Sequence, residues 1–326
     1  MISIAYITAR LDPRLDLFFD SISPQLKQGD EVILIDHWLD YYPNRKTEVA
    51  TLLNGRFDLI HLPPKPSIWR GIHRKTKRDF ADTSAARNTA IIVATKPYIV
   101  FLDDLSAVHN NWREYHEIAA KDGKILAGQF KMVRDLKVLP NGEVDHRICG
   151  DQDVRVSHQP DNNPIPITGG WVFGSNSGLP VEYLNKIGGY DEFCARRGIE
   201  DCNLGVRLEI AGYKDKMWYD KNCVVYEDKF YHYNMSNSTW NPFLNEFIPL
   251  RRYKTVDYDD QAKGEKIFKK MEEIELKHLH ETKSFYPINP YFNLEKEREL
   301  YRNSGSFRST EKDTFTDYDG EPIEDL

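Results

Sequence analysis

The sequence has little of what would mark several common protein classes. Its four cysteines, Cys149, Cys194, Cys202 and Cys223, are scattered and form no C-x-x-C pair. That argues against a disulfide-stapled scaffold or a zinc ribbon, and reduced thiols fit a cytoplasmic setting. No run of about 18 apolar residues occurs, the length a spanning helix needs. The best stretch, 90–102, is broken by Lys96-Pro97. The first residues lack the basic region, hydrophobic stretch and cleavage site of an export signal, because Ile2–Ile7 already reads as a core strand. The expectation is a chain with no transmembrane segment and no export signal of its own, so the sequons at Asn234 and Asn237 read as chance matches.

Other absences narrow the chemistry. No G-x-G-x-x-G follows the first apolar run, and Gly169–Gly174 has the wrong spacing and position for one, which disfavours a dinucleotide-dependent oxidoreductase. No G-x-x-x-x-G-K-[ST] loop occurs, which disfavours a nucleoside triphosphatase. Basic excess is missing too: 44 Lys and Arg against 51 Asp and Glu give a net charge of −7. Nucleic acid is therefore not an expected partner. There are no internal repeats.

What is present is an ordinary globular composition, 40% hydrophobic and 29% charged over 326 residues, with ample material for a core. Ile2–Thr8, Glu31–Asp36 and Phe57–Leu62 are short apolar runs, the pattern of strands buried on both faces. Leu15–Leu26 carries apolar residues at helical spacing. A strand, a helix and two further strands in this order read as a nucleotide-binding α/β unit with a parallel sheet. Ligands of such sheets sit beyond the carboxyl ends of the strands. That gathers Thr8–Arg10, Asp36–Asp40 and Pro63–Lys65 around one crevice. Asp36 there either accepts a hydrogen bond from a nucleobase or ribose, or closes a strand-end turn. The basic stretch Pro64–Arg78 either faces a diphosphate or anionic acceptor, or is a solvated loop.

Asp82-Thr83-Ser84 caps a helix that Lys96-Pro97 stops. Tyr98–Leu102 is a further strand and runs into Asp103-Asp104. Two acids at that position serve either a divalent cation on diphosphate oxygens or a capped turn before Asn110. Ile125–Lys137 reads as a strand, followed by a Pro-Asn-Gly turn and a polar loop or β-excursion over Asn141–Pro166. Gly169–Tyr213 then combines a glycine-rich aromatic segment, the turn Gly188-Gly189-Tyr190-Asp191 and the pair Glu200-Asp201 ahead of an amphipathic run. That pair is either an acidic helix cap or two carboxylates beside a glycine-lined wall. A short strand lies around Cys223–Tyr226. The helix Gln261–Lys283, with Ile267, Met271 and Ile274 on one face, suits packing or homo-oligomer formation. Ser304–Leu326 is polar and acidic, the composition of a disordered tail.

Together these pieces resemble the inverting glycosyltransferases of the GT-A fold, close to family 2. The resemblance lies in a first strand entering a loop, an acid ending the second strand, S-A-A-R-N at Ser84–Asn88, F-L-D-D at Phe101–Asp104, Gly169-Gly170, G-G-Y-D-E at Gly188–Glu192, and Glu200-Asp201. Gly169–Tyr213 also looks like the C-terminal segment of animal galactosyl- and N-acetylgalactosaminyltransferases. The resemblance implies an α/β, Rossmann-like mixed sheet flanked by helices over residues 1–235. An aromatic linker and helical extension over 236–303 and the tail 304–326 would follow.

It further implies transfer of a sugar from a nucleotide-diphosphate donor, with UDP the carrier by family habit, to a hydroxyl of a glycan or glycoconjugate acceptor. Thr8, Arg10, Asp36 and Arg87 would contact the donor, and Asp103 and Asp104 the diphosphate and its Mn²⁺ or Mg²⁺. Gly169, Gly170 and Trp171 would line the donor-sugar and acceptor site. Asp201 would be the general base, with Glu200 holding an acceptor hydroxyl. The family usually reads D-x-D, but here Leu105 replaces the last acid, so Asp104, with His232, would serve the metal or the reaction would depend on it less. A catalytically inactive nucleotide-sugar or glycan-binding module of the same fold is the competing reading.

Overall fold

In the computed structural model, which describes residues 1–10, 12–67, 69–71, 81–192, 200–228 and 293–307, the apolar runs become the middle of one mixed sheet. The first strand β1 (Ser3–Thr8) pairs in parallel with β2 (Glu31–Asp36) on one side and β4 (Tyr98–Asp103) on the other. β3 (Leu59–Leu62) extends this parallel half beyond β2. On the far side of β4 the direction reverses at β9 (Ser177–Pro180), which also runs antiparallel to β6 (Ile125–Val138). β10 (Met217–Asp228) is parallel to β6, and the three-residue β5 (Ser106–Val108) closes the order β3-β2-β1-β4-β9-β6-β10-β5. β7 (Val144–Gln152) folds back on β6 as a hairpin, and β8 (Ile165–Pro166) adds to β10. The expected parallel sheet thus holds for the first four strands in space, and the whole is mixed.

Alternation along the strands divides the core. Ala5, Ile7, Ile33, Ile35, Ile99 and Phe101 face the helices α3 (Thr83–Val93), α5 (Val181–Ile187) and α6 (Glu200–Leu208). Ile4, Tyr6, Val32, Leu34, Val100 and Leu102 face α1 (Leu15–Ile22), α2 (Arg45–Leu53) and α4 (Trp112–Lys121). Two-sided burial is why these strands read as unbroken apolar runs. The expected cap of α3 is present, with Asp82 accepting a hydrogen bond from the Ala85 N–H at 2.9 Å.

Two helices carry too little periodicity to be read from the sequence. α2 buries Val49 and Leu53 on an otherwise polar background, in a stretch that reads only as a connection and turn. The last helix, α7 (Leu294–Ser304), docks on α3: Leu294 enters the same core as Ile91 and Ala94, and the Arg298 guanidinium donates to the carbonyl oxygens of Ile91 and Ala94. The expected helix Gln261–Lys283, its oligomer role and the tail beyond residue 307 lie outside the described residues. Among the described residues no helix is long and apolar enough to cross a membrane.

Candidate active site

The parallel register sets the expected donor-side residues at one edge. Thr8 lies opposite Asp36, and Ile7 opposite Asp103, so the carboxyl ends of β1, β2 and β4 finish together. Thr8 Oγ1 donates to Asp104 Oδ2 at 2.9 Å, and Arg10 Nε donates to Asp104 Oδ1 at 2.8 Å. The Arg10 N–H in turn donates to Thr8 Oγ1 at 3.0 Å. Asp104 therefore spends both oxygens on the first loop, while Arg10 Nη1 is buried without a partner. Asp36 is fully buried and accepts from Arg45 Nε at 2.6 Å and from the Trp38 N–H at 2.9 Å, with His61 Nε2 at 3.2 Å. Burial opposes its charge, but His61, Arg45 and the Trp38 amide prevail and hold its pKa below the ordinary carboxylate value. The Trp38 contact is the strand-end turn, one of the two roles open to this acid.

Lys65, placed at the crevice mouth by the sequence, is instead fully buried, its Nζ 2.7 Å from Glu192 Oε1. Asn88 Nδ2 donates to the same carboxylate at 2.8 Å, and Trp69 Nε1 donates to the Glu192 carbonyl at 2.9 Å. Arg70 is buried too and reaches Asp40 at 3.2 Å. The start of the basic stretch is thus part of the frame, not a solvated loop. Residues 72–80 lie outside the described residues.

Arg87 joins the end of β4 to the start of α6. From α3 its Nη2 donates to Asp103 Oδ1 at 3.0 Å and its Nη1 to Glu200 Oε1 at 2.9 Å, and the guanidinium lies 5.3 Å from the centre of the Tyr190 ring. Burial works against its charge, and Asp103, Tyr190, Glu200 and Asp201 together outweigh burial, so the Arg87 pKa rises. Glu200 keeps its Oε2 buried and unpartnered. Burial lifts its pKa, Arg87 pulls it down and Asp201 adds to the rise, leaving it at about 7.

Glycine packing fixes the other carboxylate. The turn Gly169–Trp171 lies against α6 so closely that a Cβ on Gly169 would stand 2.2 Å from the Gly205 carbonyl oxygen, and one on Gly205 would stand 1.9 Å from that of Gly169. Glu209 Oε2 accepts the Gly169 N–H at 2.8 Å, and Cys202 Sγ lies 3.5 Å from the Gly170 carbonyl oxygen. Farther along, the Gly174 N–H donates to Asp201 Oδ2 at 2.8 Å, and the Cys202 N–H reaches Asp201 Oδ1 at 2.7 Å. A Cβ at Gly174 would meet Arg87 Nη2 at 2.0 Å. Gly169, Gly170 and Trp171 are thus brought to the same helix as Glu200 and Asp201.

Support for this wall comes from residues the sequence did not single out. Fully buried Arg155 donates from Nη1 to the Trp171 carbonyl and from Nη2 to the Gly128 carbonyl, each at 2.8 Å. Asp153 holds its Nε and Nη2, and the rings of Phe173 and Tyr219 lie 4.3 and 4.6 Å away. Neither Arg155 nor Glu209 belongs to a pattern visible in the chain. Gly205, an isolated glycine in a helical run, offered a usable signal of close packing.

Of the residues expected to hold a metal, Asp103 and Asp104 are among the described ones. Asp103 leaves 41% of its side chain exposed, and that carboxylate is available to a cation shared with diphosphate oxygens. Asp104 is occupied, and Leu105 is fully buried with φ +64°, its N–H donating to the Pro13 carbonyl at 3.1 Å. Among the described residues no three His, Cys, Asp or Glu side chains converge as a metal site, and His232 lies outside them.

No family model matches the chain, and no curated sequence matches it. The fold is nevertheless shared with known structures. TarS 1–349 of S. aureus in complex with UDP aligns with TM-score 0.50 and 11% identity, over 95% of this chain and 94% of that one. The same protein with UDP-GlcNAc aligns with TM-score 0.50 and 12% identity over 83% and 72%. The chain has the GT-A fold. A structure of GalNAc-T7 with UDP, GalNAc and Mn²⁺ gives 14% identity over 70% and 44%, with TM-score 0.48. In two other TarS structures the aligned part is 60% of the 1–349 chain and 37% of the longer one.

Proposed function

We propose that this protein transfers a sugar from a nucleotide-diphosphate donor, a UDP-sugar, to a hydroxyl of a glycan or glycoconjugate acceptor with inversion at the anomeric carbon. The observation that carries the reading is the bridge made by Arg87, which ties Asp103 at the end of β4 to Glu200 beside Asp201. One cation thereby sets the diphosphate side and the proton-accepting side of the crevice at a fixed separation. The GT-A fold shared with TarS, a protein solved with UDP and UDP-GlcNAc, supports the choice of donor class.

In this reading Asp201, oriented by the Gly174 and Cys202 amides, takes the proton from the acceptor hydroxyl as its oxygen attacks the anomeric carbon. The bond from that carbon to the diphosphate breaks and the nucleotide leaves. Glu200 holds the acceptor hydroxyl, Arg10 and Arg87 face the charge of the leaving group, and Thr8 and Asp36 frame the nucleoside. Asp103 is the described residue that would hold Mn²⁺ or Mg²⁺, which when bound would draw charge from the diphosphate.

Hydrolysis of a panel of nucleotide-sugars, followed by transfer assays, tests the proposal. General-base help is worth roughly 10²- to 10⁴-fold, so Asp201→Asn should lose rate on that scale with its circular dichroism unchanged. Near-normal turnover by that variant would sink the assignment. The occupied Asp104 and buried Leu105 favour a second reading, a binding module without catalysis; it predicts UDP binding with no donor hydrolysis in the same panel.

A further inference from the structure

A cleft of about 340 Å³ opens beside the Gly169–Trp171 turn, and none of Asp103, Glu200 or Asp201 lines it. Half-buried Ile165, Ile167 and Trp171 make its apolar surface. His158 stands edge-on to the Trp171 ring, with ring centres 4.8 Å apart. Exposed Lys214 and Asp215 form the rim. The size falls at the lower end of small-molecule pockets, roughly 300–1,000 Å³.

We infer that this cleft is a distal acceptor subsite that takes one neutral sugar unit of a glycan, beyond the unit that reacts at Asp201. A pyranose ring offers an apolar C–H face and a girdle of hydroxyls that both donate and accept. The cleft offers the matching parts: an indole and two isoleucines for the face, an ammonium and a carboxylate for the hydroxyls. A hydrocarbon chain would use the apolar face but neither polar group of the rim. A polyanion would meet a lysine already paired with Glu209, with the carboxylate of Asp215 beside it.

Continuity with the candidate active site gives the second argument. Glu209 accepts the Gly169 N–H through Oε2 and pairs with Lys214 through Oε1 at 3.3 Å, so the cleft rim and the glycine wall share one anchor. Arg155 holds the Trp171 carbonyl from the same short turn, Val154–His158, that supplies the His158 ring. Three residues beyond Trp171, Gly174 binds Asp201. A chain of sugars running from Asp201 along this turn would reach the cleft through Gly174 and Trp171. The identity of the occupant rests on the glycosyl-transfer reading.

The test uses the full chain on a broad printed glycan array, with UDP binding measured by calorimetry in parallel. Wild-type protein should retain glycans of two or more units. Ile167→Asp should weaken the strongest binder at least about tenfold, the effect of losing a central apolar contact. Ile167→Val should restore it, and His158→Ala, at an exposed ring, should weaken it by a smaller factor and decides the matter if Ile167→Asp fails to fold. Failure of the wild type to retain any glycan would overturn the subsite, as would unchanged affinity in Ile167→Asp or, should that variant not fold, in His158→Ala. Absence of UDP binding by the wild type would instead overturn the glycosyl-transfer reading, while glycan binding lost in Ile167→Asp would leave the subsite standing.

Discussion

The two halves of the crevice are held in shape by different forces. On the side of β1, β2 and β4, charges are paired with one another: Asp36 with Arg45, Asp104 with Arg10, and Lys65 with Glu192. On the side of α6, position is set by the absence of side chains, with Gly169 against Gly205 and Gly174 under Arg87. The first side depends on each ion keeping its partner, the second on nothing being added. The carboxylates on the second side stay less committed: among the described residues Glu200 keeps an unpartnered oxygen, and the Gly174 and Cys202 amides hold Asp201.

The sharpest way to break this contrast is to remove one buried ion. Lys65→Met leaves Glu192 fully buried beside Asn88 alone among its described side-chain partners. Breaking a buried pair on one side costs about 3–5 kcal/mol, and urea denaturation should show a loss on that scale. A change below the error of the method would show that the charge frame is not what holds this half.

Adding a single methyl group tests the other half. Gly205→Ala forces the Gly169 backbone away from α6, and because the obstacle is backbone there is no side chain to swing aside. Overpacking costs about 1–3 kcal/mol, so the midpoint should fall less than in Lys65→Met, and acceptor-dependent rate should fall with it. Unchanged stability and rate in Gly205→Ala would remove glycine contact as the organising feature.

A slope with pH probes the less committed carboxylate. The Glu200 pKa is raised to about 7 in the folded chain from an ordinary value of 4.5. The folded state therefore holds a proton that the unfolded state has lost, and stability drawn from this group falls as pH rises from about 4.5 to 7, then levels off. Denaturation midpoints at pH 5 and 8 should draw together in Glu200→Gln relative to wild type. An identical gap in both proteins would mean that Glu200 is not the group titrating.

Much of the first half is legible in the chain and much of the second is not, for a physical reason. Strands buried on both faces leave unbroken apolar runs, and the ends of those runs locate Thr8, Asp36 and Asp103 from the residue pattern alone. Asp82 is readable from the opening of a helix, and Arg87 only through the family resemblance. Arg155 and Glu209 act on backbone groups that the fold brings from 16 and 40 positions away, and no local pattern records that. Lys65 illustrates the opposite error: a cation in a basic stretch looks open to an anionic ligand or to solvent until Glu192, 127 positions later, is seen to pair with it. α2 and α7 escape the pattern because each rests on one or two apolar residues and, in α7, on an arginine bound to the end of another helix.

Leu105 limits what the acid turn can become. Its side chain is fully buried, its N–H holds the Pro13 carbonyl and its own carbonyl accepts the Asp228 N–H at 3.1 Å. Placing an acid here, to give D-x-D, would therefore put a carboxylate inside the core, at the cost of desolvating an ion. A gain of cation-binding capacity beside Asp103 would therefore have to come through residues other than Leu105.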